Sequence, residues 1–296
     1  MVRQEPEIYF HLGFGRTEAS YLRRTFFPRL QGVRFVHPGE YTKLPKIVGR
    51  EMVHKFFVSN SMDIGLEDQV KKFARKFPQT QTILTFRRHD KWLYDLYVYL
   101  VNMGLGMSFK EFYDAETNQG YLKHVDCDYM SKIKFLESVF DQKPLVLFLE
   151  DLDRYPYEFF DAFAQIMFAS YRKFDIELQE KVNAKNPKKK ENKIEIKSMA
   201  NAKIFGREGV PLMQSGLNLN LGHRLKLAVA SGLGLGMRML PSKMILNGGM
   251  VDDKDLERIR IRHAQDWIAV HEYAKTNNYK NIRGAINPSV LRLGRY

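Results

Sequence analysis

Along the first half of the chain, short apolar runs alternate with stretches of helical periodicity. Glu7 to Leu12 (EIYFHL) is rich in β-formers and runs into Gly13-Phe14-Gly15. In the following TEASYLRRTFFPRL, the apolar positions Tyr21, Leu22, Phe26 and Leu30 recur at helical spacing. Thr17 and Glu18 suit the start of that helix, where a side-chain oxygen and a negative charge satisfy free amides. The opening therefore predicts strand, tight turn, helix. The pattern then repeats: Val33 to Val36 and Lys55 to Ser59 predict strands, and Leu66 to Phe77 predicts a helix stopped by Pro78. Gln81 to Phe86 (QTILTF) has the apolar, β-branched composition of a buried parallel strand. It leads through Arg87-Arg88-His89-Asp90 into a long helix closed by Gly104, and Ser108 caps a short helix after it. Met130 to Phe140 predicts an amphipathic helix, Pro144 to Glu150 (PLVLFLE) another buried strand, and YEFFDAFAQIMFASY a further helix. Strands alternating with helices imply an α/β fold, a parallel sheet covered by helices.

After about residue 170 the strand signal ends. Lys181 to Lys197 holds seven lysines against two glutamates, which predicts a solvated loop within residues 171–200, with a ligand- or membrane-facing role as the alternative. Residues 201–296 read as mostly helical. The glycine run SGLGLGMR at Ser231 to Arg238 has no strand before it, so it reads as a loop or a helix kink. Asp252 to Tyr273 reads as one amphipathic helix with Leu256, Ile259, His263, Trp267 and Val270 on one face. The expected organisation is a single domain over 1–296, with an α/β core at 7–170 and a helical C-terminal cap.

Composition is ordinary for a folded protein, with 44% hydrophobic and 27% charged residues. The lone cysteine, Cys127, excludes an internal disulfide framework and fits a reducing compartment. The N-terminal MVRQEPEIYFHLGFGR lacks the apolar core of a signal peptide, and nowhere do 18 apolar residues run together. A soluble, cytoplasmic protein is expected. The formal charge of +13 favours anionic partners such as nucleotides, sulfated or phosphorylated compounds, or an acidic membrane surface. Nucleic acid rests on charge alone and is not expected.

The strongest local feature is HLGFGRTEAS, His11 to Ser20. A strand ending in a glycine turn at a helix N-terminus gathers backbone amides around one point, which suits a phosphate. Arg16 would add a fixed cation, and Thr17 and Ser20 hydroxyl donors. Taken alone, such a turn is either a phosphate cradle or a plain βα connection, and it is not a Walker A motif. Arg87 and Arg88 end a buried strand, and in parallel sheets the ligand crevice lies along those strand ends. Arg87 is expected to reach the ligand and Arg88 to pair with a surface carboxylate.

With these residues in register, the chain resembles the sulfotransferases that use 3'-phosphoadenosine-5'-phosphosulfate (PAPS), especially their bacterial and carbohydrate-type branches. HLGFGRTEASYLRRTFFP falls on that family's H-x-G-x-x-K-T-G-T-T turn and the helix after it. Arg87 and Asp95, with Tyr94 and Tyr97 around them, fall on an arginine and a serine eight residues on. Leu145 to Leu152 (LVLFLEDL) falls on a strand ending in E-D-L, and Asp252 to Tyr273 on a closing helix. The resemblance implies a single P-loop-like domain binding PAPS through Gly13, Phe14, Gly15, Arg16, Thr17, Glu18, Ala19 and Ser20 with Arg87 and Asp95. It implies in-line sulfuryl transfer to a hydroxyl or amine of a carbohydrate or small molecule, with Arg16 stabilising the leaving phosphate and no metal. The turn departs from the family at Arg16 for lysine, Glu18 for glycine, and Ala19 and Ser20 for threonines. Asp95 for serine sets an acceptor-only group where a donor to the 3'-phosphate is expected. No glutamate stands near Ser61 to serve as base, leaving His11 and His54. These departures keep a second reading in view, a catalytically inactive member of the fold that binds a nucleotide or another anion.

Overall fold

In the computed structural model, residues 5–14, 16–61, 66–178, 187–208, 221–237 and 251–281 are described. Strand β1, Glu7–Gly13, lies at the centre of a five-stranded parallel sheet. It is flanked by β3, Lys55–Ser61, and β4, Gln81–Phe86; β2, Arg34–Val36, and β5, Leu145–Phe148, form the edges. The order β2-β3-β1-β4-β5 means that the chain builds one side of β1, then crosses to build the other. Gln81 to Phe86 forms β4 as the sequence predicts, while the last strand stops at Phe148. Leu149–Arg154 turns into helix instead, so Glu150 lies in a first helical turn, where its charge suits the free amides.

The chain divides into two compact units. The sheet unit comprises Met1–Arg88, Tyr129–Glu180 and Gln265–Tyr296. Successive strand residues face opposite ways. Tyr9, Phe57, Ile83, Leu145 and Leu147 enter one apolar core with Phe26, Phe27, Phe159, Phe160 and Phe163. Phe10 faces the other side, against Tyr41 and Phe73. Helix α1, Arg16–Tyr21, continues as a π turn to Phe26 before Pro28, which presents Leu22, Phe26 and Phe27 to the first core. The other helices of this unit are α2, Leu44–Arg50; α3, Leu66–Ala74; α6, Tyr129–Val139; α7, Leu149–Arg154; and α8, Pro156–Ile166.

The helical unit comprises His89–Asp128 and Lys181–Ala264. It holds α4, His89–Asn102; α5, Phe109–Phe112, capped by Ser108 as expected; α9, Pro187–Phe205; α10, Leu221–Met237; and α11, Asp253–Arg262. The lysine-rich segment expected as a loop is helical from Pro187. Its later turns turn Ile196, Ser198, Ala200 and Asn201 inward, and that buried face outweighs the lysine content. Asn201 donates its side-chain amide to the carbonyls of Val101 and Leu105 at 2.7 and 2.9 Å, satisfying groups left open at the end of α4. Gly106 admits the close approach: a Cβ there would meet Ala202 Cα at 2.5 Å.

The expected single helix from Asp252 to Tyr273 is broken at His263 into α11 and α12, Ala264–Asn281. Asp252 caps α11 by accepting from the Asp255 amide. His263 is held by Tyr113, Oη to Nε2 2.5 Å, and its ring stacks on His89 at 4.3 Å. Those partners fix the ring, and the helix yields to them. The glycine run at Ser231 lies in α10 up to Met237, where a helix rather than a loop forms. No described helix is long and apolar enough to cross a membrane.

Candidate functional site

All five strands point the same way, so the turns after β1, β3, β4 and β5 leave from one edge of the sheet. The chain changes direction on either side of β1, and a ligand crevice in an open parallel sheet forms outside the carboxyl ends at such a point. The residues that leave that edge are the turn after Gly13, Arg87 and Arg88 after β4, and Glu150 and Asp151 after β5.

The turn after β1 is anchored by apolar packing. Phe14 is fully buried against Phe86 and Tyr129, ring centroids 5.0 and 5.7 Å away. Its amide donates to the Thr85 carbonyl at 2.9 Å, so it extends the pairing with β4. Gly13 is required by close approach, since a Cβ would stand 3.0 Å from Ala19 Cβ and 3.1 Å from His11 Cε1. Ala19, in the place of a threonine in the family pattern, is buried in that contact. Ser20 is exposed, and its hydroxyl accepts from Arg23 at 3.4 Å. Gly15 lies outside the described residues, as do the side chains of Arg16, Thr17 and Glu18, though their backbone opens α1.

Arg87 follows β4 at the same edge. Its side chain is mostly buried, and one guanidinium nitrogen stands 3.9 Å from the Asp153 carboxylate, a long ion pair. Its carbonyl accepts from Tyr129 Oη at 2.8 Å, and Tyr129 stacks on Phe86 at 4.2 Å. The amide of Arg88 donates to Glu150 Oε1 at 3.0 Å, tying the ends of β4 and β5 together. Glu150 Oε2 is buried and finds no hydrogen-bond partner among the described residues. Asp95 is half-buried on α4 of the helical unit.

The structure redraws the choice of base. His11 is fully buried, with Nδ1 2.9 Å from Ser59 Oγ and Nε2 2.8 Å from Thr85 Oγ1. Burial, then the positive charge of Arg23, pull its pKa down to about 3, so the ring stays neutral. Both nitrogens are engaged and the ring lies among Phe27, Phe57 and Phe163, so His11 locks β3, β1 and β4 together instead of reaching a substrate. His54 precedes β3 at the opposite edge of the sheet, roughly 20 Å of strand away at 3.3 Å per residue. Asp151 is at the correct edge and was not expected. Burial, then the neighbouring Glu150 charge, push its carboxyl up to about 7, the range in which a carboxyl exchanges protons at neutral pH. The E-D-L sequence after an apolar strand is the signal that points to it.

No protein-family model matches the sequence, and no curated protein matches it. The chain is similar in structure to a sulfotransferase from Alicyclobacillus acidocaldarius, at 12% identity and a TM-score of 0.40. The match covers 71% of this chain and 99% of that one.

Proposed function

We propose that the sheet unit binds PAPS and that the protein transfers its sulfuryl group to a hydroxyl or amine of a carbohydrate or small-molecule acceptor. The observation that carries this reading is the placement of the β1 turn and Arg87 at the carboxyl ends of adjacent strands, beside the point where the strand order reverses. Arg87 has the fixed charge and planar fork that suit the 3'-phosphate. Arg16 opens α1 and would face the 5'-phosphosulfate, stabilising charge on the leaving phosphate. Asp151 serves as the base, accepting the acceptor's proton as the oxygen or nitrogen attacks sulfur.

Calorimetric titration with the desulfonated product PAP tests the site. Micromolar binding by the wild type, lost in Arg87→Ala, is expected; a folded wild type that does not bind PAP overturns the assignment. The buried, fully engaged His11 favours one rival, a binding module of the same fold that holds an anion without catalysis. PAP binding with no sulfate transfer to any acceptor pool would select it.

A further inference from the structure

Among the described residues, the helical unit exposes an apolar row that the proposed site leaves unused. On α10, Leu225, Val229 and Leu233 are 66, 49 and 42% exposed. Spaced by four residues, they occupy an arc of about 80° at 3.6 residues per turn. Ala230 between them is fully buried, so α10 has one side against its own unit and one bare. Scattered surface leucines are ordinary, but an apolar ridge along a helix calls for a partner.

The charge beside the ridge indicates which partner. α10 carries Arg224 and Lys226 and no acidic residue. The helix α9, packed along α10, carries six lysines against two glutamates. One of those two, Glu195, is buried. Eight basic against two acidic residues leave these two helices a net six of the chain's thirteen positive charges. Leucine and valine bordered by lysine complement an anionic bilayer surface, where acyl chains take the apolar ridge and headgroups neutralise the cations. A helix of this kind lies in the interface without crossing.

We propose that α10, with the lysine-rich helix α9 packed along it, docks the protein peripherally on anionic phospholipid membranes. The surface would hold the enzyme beside acceptors that are themselves displayed on a membrane.

Co-sedimentation of the full chain with vesicles reads this out. Mixed phosphatidylserine and phosphatidylcholine vesicles should retain the protein at least about tenfold better than pure phosphatidylcholine, since each basic residue near the surface contributes about fivefold. Leu225→Asp with Val229→Asp should lower binding by a further order of magnitude or so, as buried apolar area is lost. Both positions are exposed, and an unchanged circular dichroism spectrum would show that the variant is folded. Lys226→Glu should weaken binding by about fivefold or more. Equal binding to the two vesicle types, or undiminished binding by the double variant, would overturn the proposal. So would self-association in the absence of lipid that the same double substitution abolishes, which would assign the ridge to a second copy of the chain.

Discussion

Among the described residues, each unit holds a titratable group that burial shifts, and the two shifts run in opposite directions. In the sheet unit two histidines are kept as neutral bases. His11 sits between two strand hydroxyls, and His271 stacks on Phe148 at 3.7 Å, its pKa drawn down to about 4 by burial. In the helical unit one buried acid is shifted the other way. Glu195 receives the Tyr97 hydroxyl at 3.4 Å from each oxygen, and burial pushes its carboxyl up to about 7. The two respond to pH with opposite sign. Histidines with lowered pKa contribute stability that is present above pH 6.5 and is lost as pH falls through their folded values. A carboxyl with raised pKa contributes stability that is full below its ordinary value of 4.5 and is lost as pH rises through about 7. Asp151 follows the second rule inside the sheet unit. A single melting curve against pH therefore sums opposed trends, and only a measurement resolved by region separates them.

The largest effect is expected from Phe163→Ala. That ring meets Phe26, Phe27, Phe57 and His11, and its loss should cost about 3–5 kcal/mol. Hydrogen exchange should show protection lost first from the sheet-unit amides. Equal loss in both units would mean that they do not respond separately. Next in size is the acid response. The His11 ring should keep the chemical shift of a neutral imidazole from pH 8 down to about 4.5, while sheet-unit protection falls by a few kcal/mol below pH 6. A ring resonance that titrates near 6.5 would remove the basis for this half of the comparison. The smallest effect belongs to Glu195→Gln. The wild-type helical unit should lose on the order of 1–3 kcal/mol between pH 5 and pH 8, and the variant should show a nearly flat profile there. An equally sloping profile in the variant would assign the response to another group.

The same contrast governs what could be read from the residues alone. Strand signals are local: QTILTF carries its own period and its own burial, so β4 lies where it was expected. The helical unit depends on contacts far apart in sequence. The break at His263 is imposed by Tyr113 and His89, which no periodicity within residues 252–273 can register. α9 is not legible from its lysine count, because what holds it is the burial of Ser198 and Asn201 against residues about 90 to 100 positions away. At the candidate site, the positions of Arg87 and the glycine turn follow from strand ends and were legible. The structural role of His11 is not legible in the sequence, because its partners, Ser59 and Thr85, lie 48 and 74 residues away. The raised pKa of Asp151 comes from its burial beside Glu150, which the letters E-D-L alone do not show.

The side-chain amide of Asn278, on α12, has a consequence for synthesis of the chain. It accepts from the Val146 amide at 3.1 Å and donates to the Val146 carbonyl at 2.6 Å, mimicking one residue of a sixth strand on the edge strand β5. An open edge invites pairing with other chains, and this plug closes the middle of it. Val146 leaves the ribosome 132 residues ahead of its plug. At translation rates of roughly 5–20 residues per second, the edge waits about 7–26 seconds for its cover. During that interval a nascent chain carries a sticky strand, and the burden of keeping neighbouring copies apart falls on the crowd of factors around the ribosome.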